Sequence, residues 1–349
     1  MVRVTGNFTS ESPLHPAASE AIGAAFDQGW ADPKKLSQNA SKAAILRDQA
    51  IESIAARLSL PAESIEILGE PSLGHYLSIA GLLTPQSTFL YGAIDKGKVR
   101  AIARSHQGPV TEVSVDRDGQ LQSIDKTAGH SVISLQATNA ETGAIQNLER
   151  FVGSASEIAI DATASGTQTE LPSRWSTALF DSTSWRGPAG LAILAIDRTA
   201  AWKYPLPHIA PIRVPGSYSL PLLMASAVAL DEFSYDRERF LTQQGRIITS
   251  LSAISGVSHV KTLGAPHLNS FLVEGVANEQ LIRALAERGI DIDGGSACSA
   301  EDLQPSHVIA AMGYPTTGHI RITLHSQTTE EDIDALLSSC NELIPELRR

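Results

Sequence analysis

Cysteine is nearly absent from this chain. Only Cys298 and Cys340 occur among its 349 residues. One pair cannot frame a disulfide scaffold, and such usage fits a reducing cytoplasm. Long apolar runs are missing too. The longest, at residues 190–196 and 220–230, are far too short to span a bilayer, so no membrane partner is expected. No basic segment followed by an apolar one stands at the N-terminus, so no signal peptide is expected. Positive charge is the scarcer sign: 27 Lys and Arg against 38 Asp and Glu leave a formal net charge of −11. Nothing concentrates cations, which argues against a nucleic-acid partner. Internal repeats and low-complexity tracts are also lacking. What remains is an ordinary globular composition, 42% apolar, long enough for one large core or a large and a smaller domain.

One thiol sits in an unusual setting. In Gly294-Gly295-Ser296-Ala297-Cys298-Ser299-Ala300 the glycines permit positive φ and nothing bulky shields Cys298. An exposed cysteine on a Gly/Ser-rich loop suits a sulfur nucleophile or acceptor. A small buried residue in a turn would read the same way. Pro305 then reads as the first residue of a short helix, with Gly313 as its C-cap.

Alternating short apolar runs predict strands at 64–68, 88–93, 110–115, 131–137, 157–161, 178–181 and 190–196. Helical patterns lie between them, which argues for a mostly parallel sheet with helices on both faces. Before it, an alanine-rich helix ends near Asp27, and Pro33 opens a longer helix striped by Leu36, Ala40, Ala44, Ile51, Ile54 and Leu58. After it, one long helix is expected over 220–254, its Leu220-to-Leu230 part serving as core or as interface. A C-terminal α+β region follows, with strands at 269–273 and 319–324 and a helix at 278–288. The last helix opens on a capping box from Thr328 to Glu331. The expected fold class is α/β, with a large domain at 14–235 and a small C-terminal domain at 236–349 joined by residues 1–13.

The stretch from Gly294 to Gly313 resembles the cysteine-loop signature of cysteine desulfurases, class V aminotransferases of the pyridoxal phosphate (PLP) fold type I. There, Gly-Ser-Ala-Cys-Ser precedes Pro-Ser-His-Val; here Pro305-Ser306-His307-Val308 stands in that place. A second signature resembles Ile320-Arg321-Ile322-Thr323-Leu324, followed by Thr328-Thr329-Glu330-Glu331. The resemblance implies that Cys298 is the persulfide-forming cysteine. It also implies that Arg321 holds a substrate carboxylate, which suits a planar fork of donors.

The same comparison implies losses. Where the family places its PLP lysine, three residues before Gly-Pro-x-Gly, this chain has Ser184 before Gly187-Pro188-Ala189-Gly190. No lysine lies between Lys126 and Lys203, and a serine hydroxyl cannot form the Schiff base. The ring-stacking histidine falls near Lys96. Ala140 and Ala164 stand where an asparagine and a glutamine would contact the cofactor. Asp161 remains at the position that pairs with the pyridinium nitrogen, although an aspartate ending a strand also caps turns. In the phosphate cradle, Gly69-Glu70-Pro71-Ser72 keeps only the Ser72 hydroxyl and Ser217 is a vestige of the dimer-contributed loop. His307 could assist the thiol or simply cap its helix.

The resemblance therefore implies a cytoplasmic pseudoenzyme with no covalently bound PLP, built as a homodimer or as a heterodimer with an active desulfurase. Cys298 would relay sulfur to an acceptor protein. Two other readings stay open: a PLP-dependent desulfurase or lyase using Lys96 or an external base, and an amino-acid-binding module using Arg321.

Overall fold

The computed structural model describes residues 6–28, 31–209, 213–295 and 305–349. A two-residue strand, β1 (Asn7–Phe8), precedes helices α1 (Pro16–Gln28) and α2 (Gln38–Leu58). Helix α2 begins after Ser37, not at Pro33, because the Ser37 hydroxyl accepts the Ala40 N–H. Such a cap is worth about 1 kcal/mol. Leu36 consequently lies before the first turn and is fully exposed, while Ala40 and Ile54 are buried as expected.

Seven strands form the first sheet: β2 (Ile65–Leu68), β3 (Thr88–Gly92), β4 (Val110–Val113), β5 (Ser131–Gln136), β6 (Glu157–Asp161), β7 (Thr177–Asp181) and β8 (Ala192–Ile196). Their order is β2-β8-β7-β6-β5-β3-β4. Only β8 runs against its neighbours; the other pairings are parallel. Strands β5 and β8 are buried at every position, as a sheet covered on both faces requires. Alternation assigns the faces. Ile158 and Ile160 pack with α1 and α2 residues such as Ala18 and Ile54. Ala159 and Val132 pack instead with Ile79 of α3 (Gly74–Ala80) and with Val99 and Ile102 of α4 (Gly97–Ser105).

The single long helix expected over 220–254 is two helices, α5 (Leu220–Glu232) and α6 (Arg237–Ser252). The backbone becomes extended at Phe233, and Asp236 accepts the Arg239 N–H to start α6. That break moves the chain from one core to another. Leu223, Ala225, Ala229 and Leu230 of α5 are wholly buried in the first core, against α1 and α2.

The second sheet has the order β1-β11-β12-β10-β9. Its other strands are β9 (Val257–His259), β10 (Leu268–Val273), β11 (Asp291–Gly294) and β12 (His319–Thr323). The N-terminal β1 pairs in parallel with β11. Helices α6, α7 (Asn278–Ala286) and α9 (Glu330–Leu347) supply this sheet's core, which runs from Phe240 to Ile344 and includes Phe8. The short helix α8 is His307–Ala311, capped by the Ser306 hydroxyl and followed by Gly313 at φ +75°. Pro305 and Gly313 therefore flank it from outside. The capping box of α9 uses Thr329 and Asp332, one residue later than expected. The reason is local: the Thr328 hydroxyl already accepts the His325 N–H. No helix among the described residues is long and apolar enough to cross a membrane.

Candidate functional site

A cleft of about 200 Å³ opens where the carboxyl ends of the parallel strands meet the second sheet. Ligands of open α/β sheets bind at such ends. Lys96 follows β3, Ala140 follows β5, Thr163 and Ala164 follow β6, and Ser184 and Arg186 follow β7. Tyr235, Phe240, His267 and the segment from Thr323 to Ser326 close the other side.

Asp161 lies behind the lining residues Lys96 and Thr163 and is the electrostatic centre of that wall. It ends β6, and its side chain is only 6% exposed. One carboxylate oxygen meets His75 Nε2 at 3.0 Å and Lys96 Nζ at 3.3 Å. The other accepts the Thr163 N–H at 3.0 Å and the Thr163 hydroxyl at 2.5 Å. Lys96 Nζ donates to that same hydroxyl. Burial alone would raise the Asp161 pKa; Lys96, then His75 and the Thr163 hydroxyl outweigh it and hold the carboxyl well below the usual range. Asp161 is therefore a paired carboxylate and a turn cap at once. Beside it, burial pushes Asp95 up to about 7 against its bond from the Gly92 N–H, with the Asp161 charge adding to the rise.

Ser184 lines the cleft, but its hydroxyl donates to the Asp181 carbonyl at 2.7 Å. The other expected positions are dispersed. Ser72 does not line the cleft, and its N–H and hydroxyl both donate to Glu70 Oε1, at 3.1 and 2.5 Å. Those bonds, hydroxyl first, lower the Glu70 pKa and keep a carboxylate where an anion would need donors. Ser217 is exposed, and a Cβ at Gly69 would stand 2.4 Å from its carbonyl, so these two segments pack together within one chain. Arg321, on β12, is 4% exposed and does not line the cleft; its Nη2 lies 3.0 Å from Asp293 Oδ2 on β11. Its Nε has no partner among the described residues. Cys298 lies outside the described residues. His307, which follows that loop, places Nε2 2.8 Å from the Asp95 carbonyl and so ties α8 to the residue before Lys96.

Sequence reasoning passed over His75, Thr163 and Arg186. Arg186 adjoins the Gly187-Pro188 anchor and was the one of the three with a visible signal. His75 and Thr163 acquire meaning only through contacts with residues far along the chain.

The resemblance names PLP as the family's cofactor, and the residues present do not fit it. A pyridinium nitrogen would need the Asp161 carboxylate, which Lys96 and His75 already hold. Ser184, at the position where the resemblance expects the linking amine, offers only a hydroxyl that is bound to the Asp181 carbonyl. At the expected phosphate cradle the Ser72 hydroxyl is already taken by the Glu70 carboxylate.

Comparison with known proteins agrees with this architecture. The family Aminotransferase class-V matches residues 224–336. A "Cysteine desulfurase" of Sinorhizobium fredii is 26% identical over 264 residues, which cover 68% of each chain. "Cysteine desulfurase IscS" of Clostridium botulinum is 31% identical over 134 residues, 36% of this chain and 33% of that relative. Among solved structures, a "NifS-like protein" superimposes with a TM-score of 0.86 at 18% identity, over 99% of this chain and 100% of the other. "SspA in complex with cysteine" gives 0.75 at 20% identity, over 93% and 100%. The solved structures show the shared fold, and the sequence matches make the chain similar to class V aminotransferases over residues 224–336 and to cysteine desulfurases over about two thirds of its length.

Proposed function

We propose that this chain is a cysteine desulfurase homologue that has given up PLP-dependent desulfuration. It serves as the partner subunit of an active desulfurase in the cytoplasm and carries sulfur on Cys298. The observation that supports this reading is the ion pair between Lys96 and Asp161, which spends the cofactor's own carboxylate on a side chain of the protein. In the relay, the Cys298 thiolate attacks the outer sulfur of a partner's persulfide. The partner leaves as a thiolate, Cys298 becomes the persulfide, and a later acceptor thiol takes the sulfur in the same way. No oxidant or reductant is consumed.

A second reading keeps the chemistry and makes Lys96 the linking amine, because Lys96 is, among the described residues, the one lysine that lines the cleft. One experiment separates the two. The purified protein is titrated with PLP while visible absorption is followed, then reduced with borohydride and mapped by peptide mass spectrometry. The pseudoenzyme reading expects no aldimine band and no fixed cofactor. A stable band mapped to Lys96 would overturn it. Ser184→Lys alone is expected to restore no turnover, since Ala140, Ala164 and Glu70 remain.

A further inference from the structure

The cleft is cationic within an acidic protein. Its lining includes Lys96 and Arg186 but neither aspartate nor glutamate, in a chain whose formal net charge is −11. The two cations differ in kind. Lys96 is neutralised by Asp161. Arg186 is only 8% exposed, and its described partners are neutral: the Pro13 carbonyl at 3.0 Å from Nε, the Ser326 hydroxyl at 2.8 Å from Nη1 and the Leu14 carbonyl at 3.5 Å from Nη2. Five N–H donors on a guanidinium and three contacts leave two donors for something else. A buried charge held only by neutral acceptors is costly.

The backbone at Arg186 is held in place as well. Arg186 adopts φ +60°, one of two non-glycine residues with positive φ among those described. That conformation is clamped by the Arg186 N–H donating to the Thr183 carbonyl and by the His15 N–H donating to the Arg186 carbonyl. Arg186 is the left-handed C-cap of the short 3-10 turn Ser182–Trp185. Across the space stand Phe233, Tyr235, Phe240, Leu268 and Leu324. The Tyr235 hydroxyl is engaged by His267 Nδ1 at 2.7 Å, so its polar end is already satisfied.

We propose that this cleft binds a small carboxylate with a short apolar body, the carboxylate on Arg186 and the body against the aromatic and leucine wall. The proposal rests on the reading above, in which PLP does not occupy the space. A planar guanidinium fork matches a carboxylate in two parallel bonds. A cavity of about 200 Å³ equals roughly seven waters at about 30 Å³ each, which limits the ligand to about the size of benzoate. Inorganic phosphate would fill the cationic end and leave the apolar wall uncovered.

The test is thermal unfolding of the full chain, without PLP, against millimolar benzoate, butyrate and inorganic phosphate. Benzoate or butyrate is expected to raise Tm by about 2 °C or more, increasing with concentration, and phosphate to do so much less. Arg186→Gln should weaken carboxylate affinity at least about tenfold. Because Arg186 also ties down residues 13–15, Ala164→Leu provides a variant that fills the cleft and leaves those bonds alone; it too should abolish the shift. No shift with either carboxylate, an equal shift with phosphate, or carboxylate shifts that survive both variants would overturn the proposal. A parallel PLP titration by visible absorption keeps this failure apart from failure of the pseudoenzyme reading.

Discussion

At the scale of single residues, the decisive fact is what each functional group already holds. The Asp161 carboxylate meets four donor atoms on three residues, so removing one leaves a buried charge short of a partner. Lys96→Met is expected to cost about 1–3 kcal/mol, less than a fully buried pair, because Lys96 keeps 29% of its side chain exposed and His75 remains. Urea unfolding checks it, and an unchanged midpoint would show that the pair does not hold Asp161. The two cysteines should behave oppositely. Burial pushes the Cys340 thiol up to about 12, so it stays protonated and unreactive at neutral pH. With an active desulfurase and labelled cysteine, persulfide should appear on Cys298 and vanish in Cys298→Ser. Equal labelling of both proteins, or of neither, ends the relay idea.

At the scale of elements, α5 shows how a helix with no clear polar face finds its place. Eight of its residues are buried, and its neighbours are α1, α2 and the first sheet's core. Leu223→Ala should therefore lose about 2–5 kcal/mol, and Leu222→Ala, which is only partly buried, distinctly less. The reverse order, read from denaturant midpoints, would mean that this helix faces another way. The break after α5 matters as much as the helix. By turning at Phe233 it sets Tyr235 and Phe240 opposite Arg186 across the cleft. Ser234 and Asp236, both good caps, were the sequence's hint of that break, but the uninterrupted apolar periodicity on either side concealed it.

At the scale of the whole molecule, acid should attack the second sheet first. Burial lowers His259 and His267 from 6.5 to about 4, His325 adding to the effect at His267, and burial together with Arg321 lowers His319 to about 3. These histidines are neutral when folded. Below pH 6.5 the unfolded chain gains protons that the folded chain refuses until about pH 4, so stability is full above 6.5 and falls as pH drops through that window. Each of the first two contributes on the order of 3 kcal/mol. Urea midpoints should decline steeply from pH 6.5 to 4.5, and a flat profile would contradict the burial of these rings. Hydrogen exchange over the same range should open Val257–His259 and His319–Thr323 before the strands of the first sheet.

What the sequence by itself determined is local or repetitive. The strands of the first sheet stand within two residues of their apolar runs, because central strands covered on both faces draw on such runs, as β8 does at all five positions. The resemblance to cysteine desulfurases could be read from motifs around Cys298, Arg321 and Gly187-Pro188, and that resemblance made Ser184 the expected replacement for the linking lysine. What tertiary structure decided is pairing between distant residues. Lys96 follows β3 and Asp161 ends β6, and only the parallel order β3-β5-β6 brings the carboxyl ends of their strands together. Likewise Arg321 meets Asp293 because β11 and β12 are antiparallel neighbours in that register. Arg186 becomes a buried cation facing a cleft only when β7, the N-terminal segment and Ser326 converge on it. A side chain's charge is written in the sequence; whether that charge is already answered depends on partners that only the folded chain assembles.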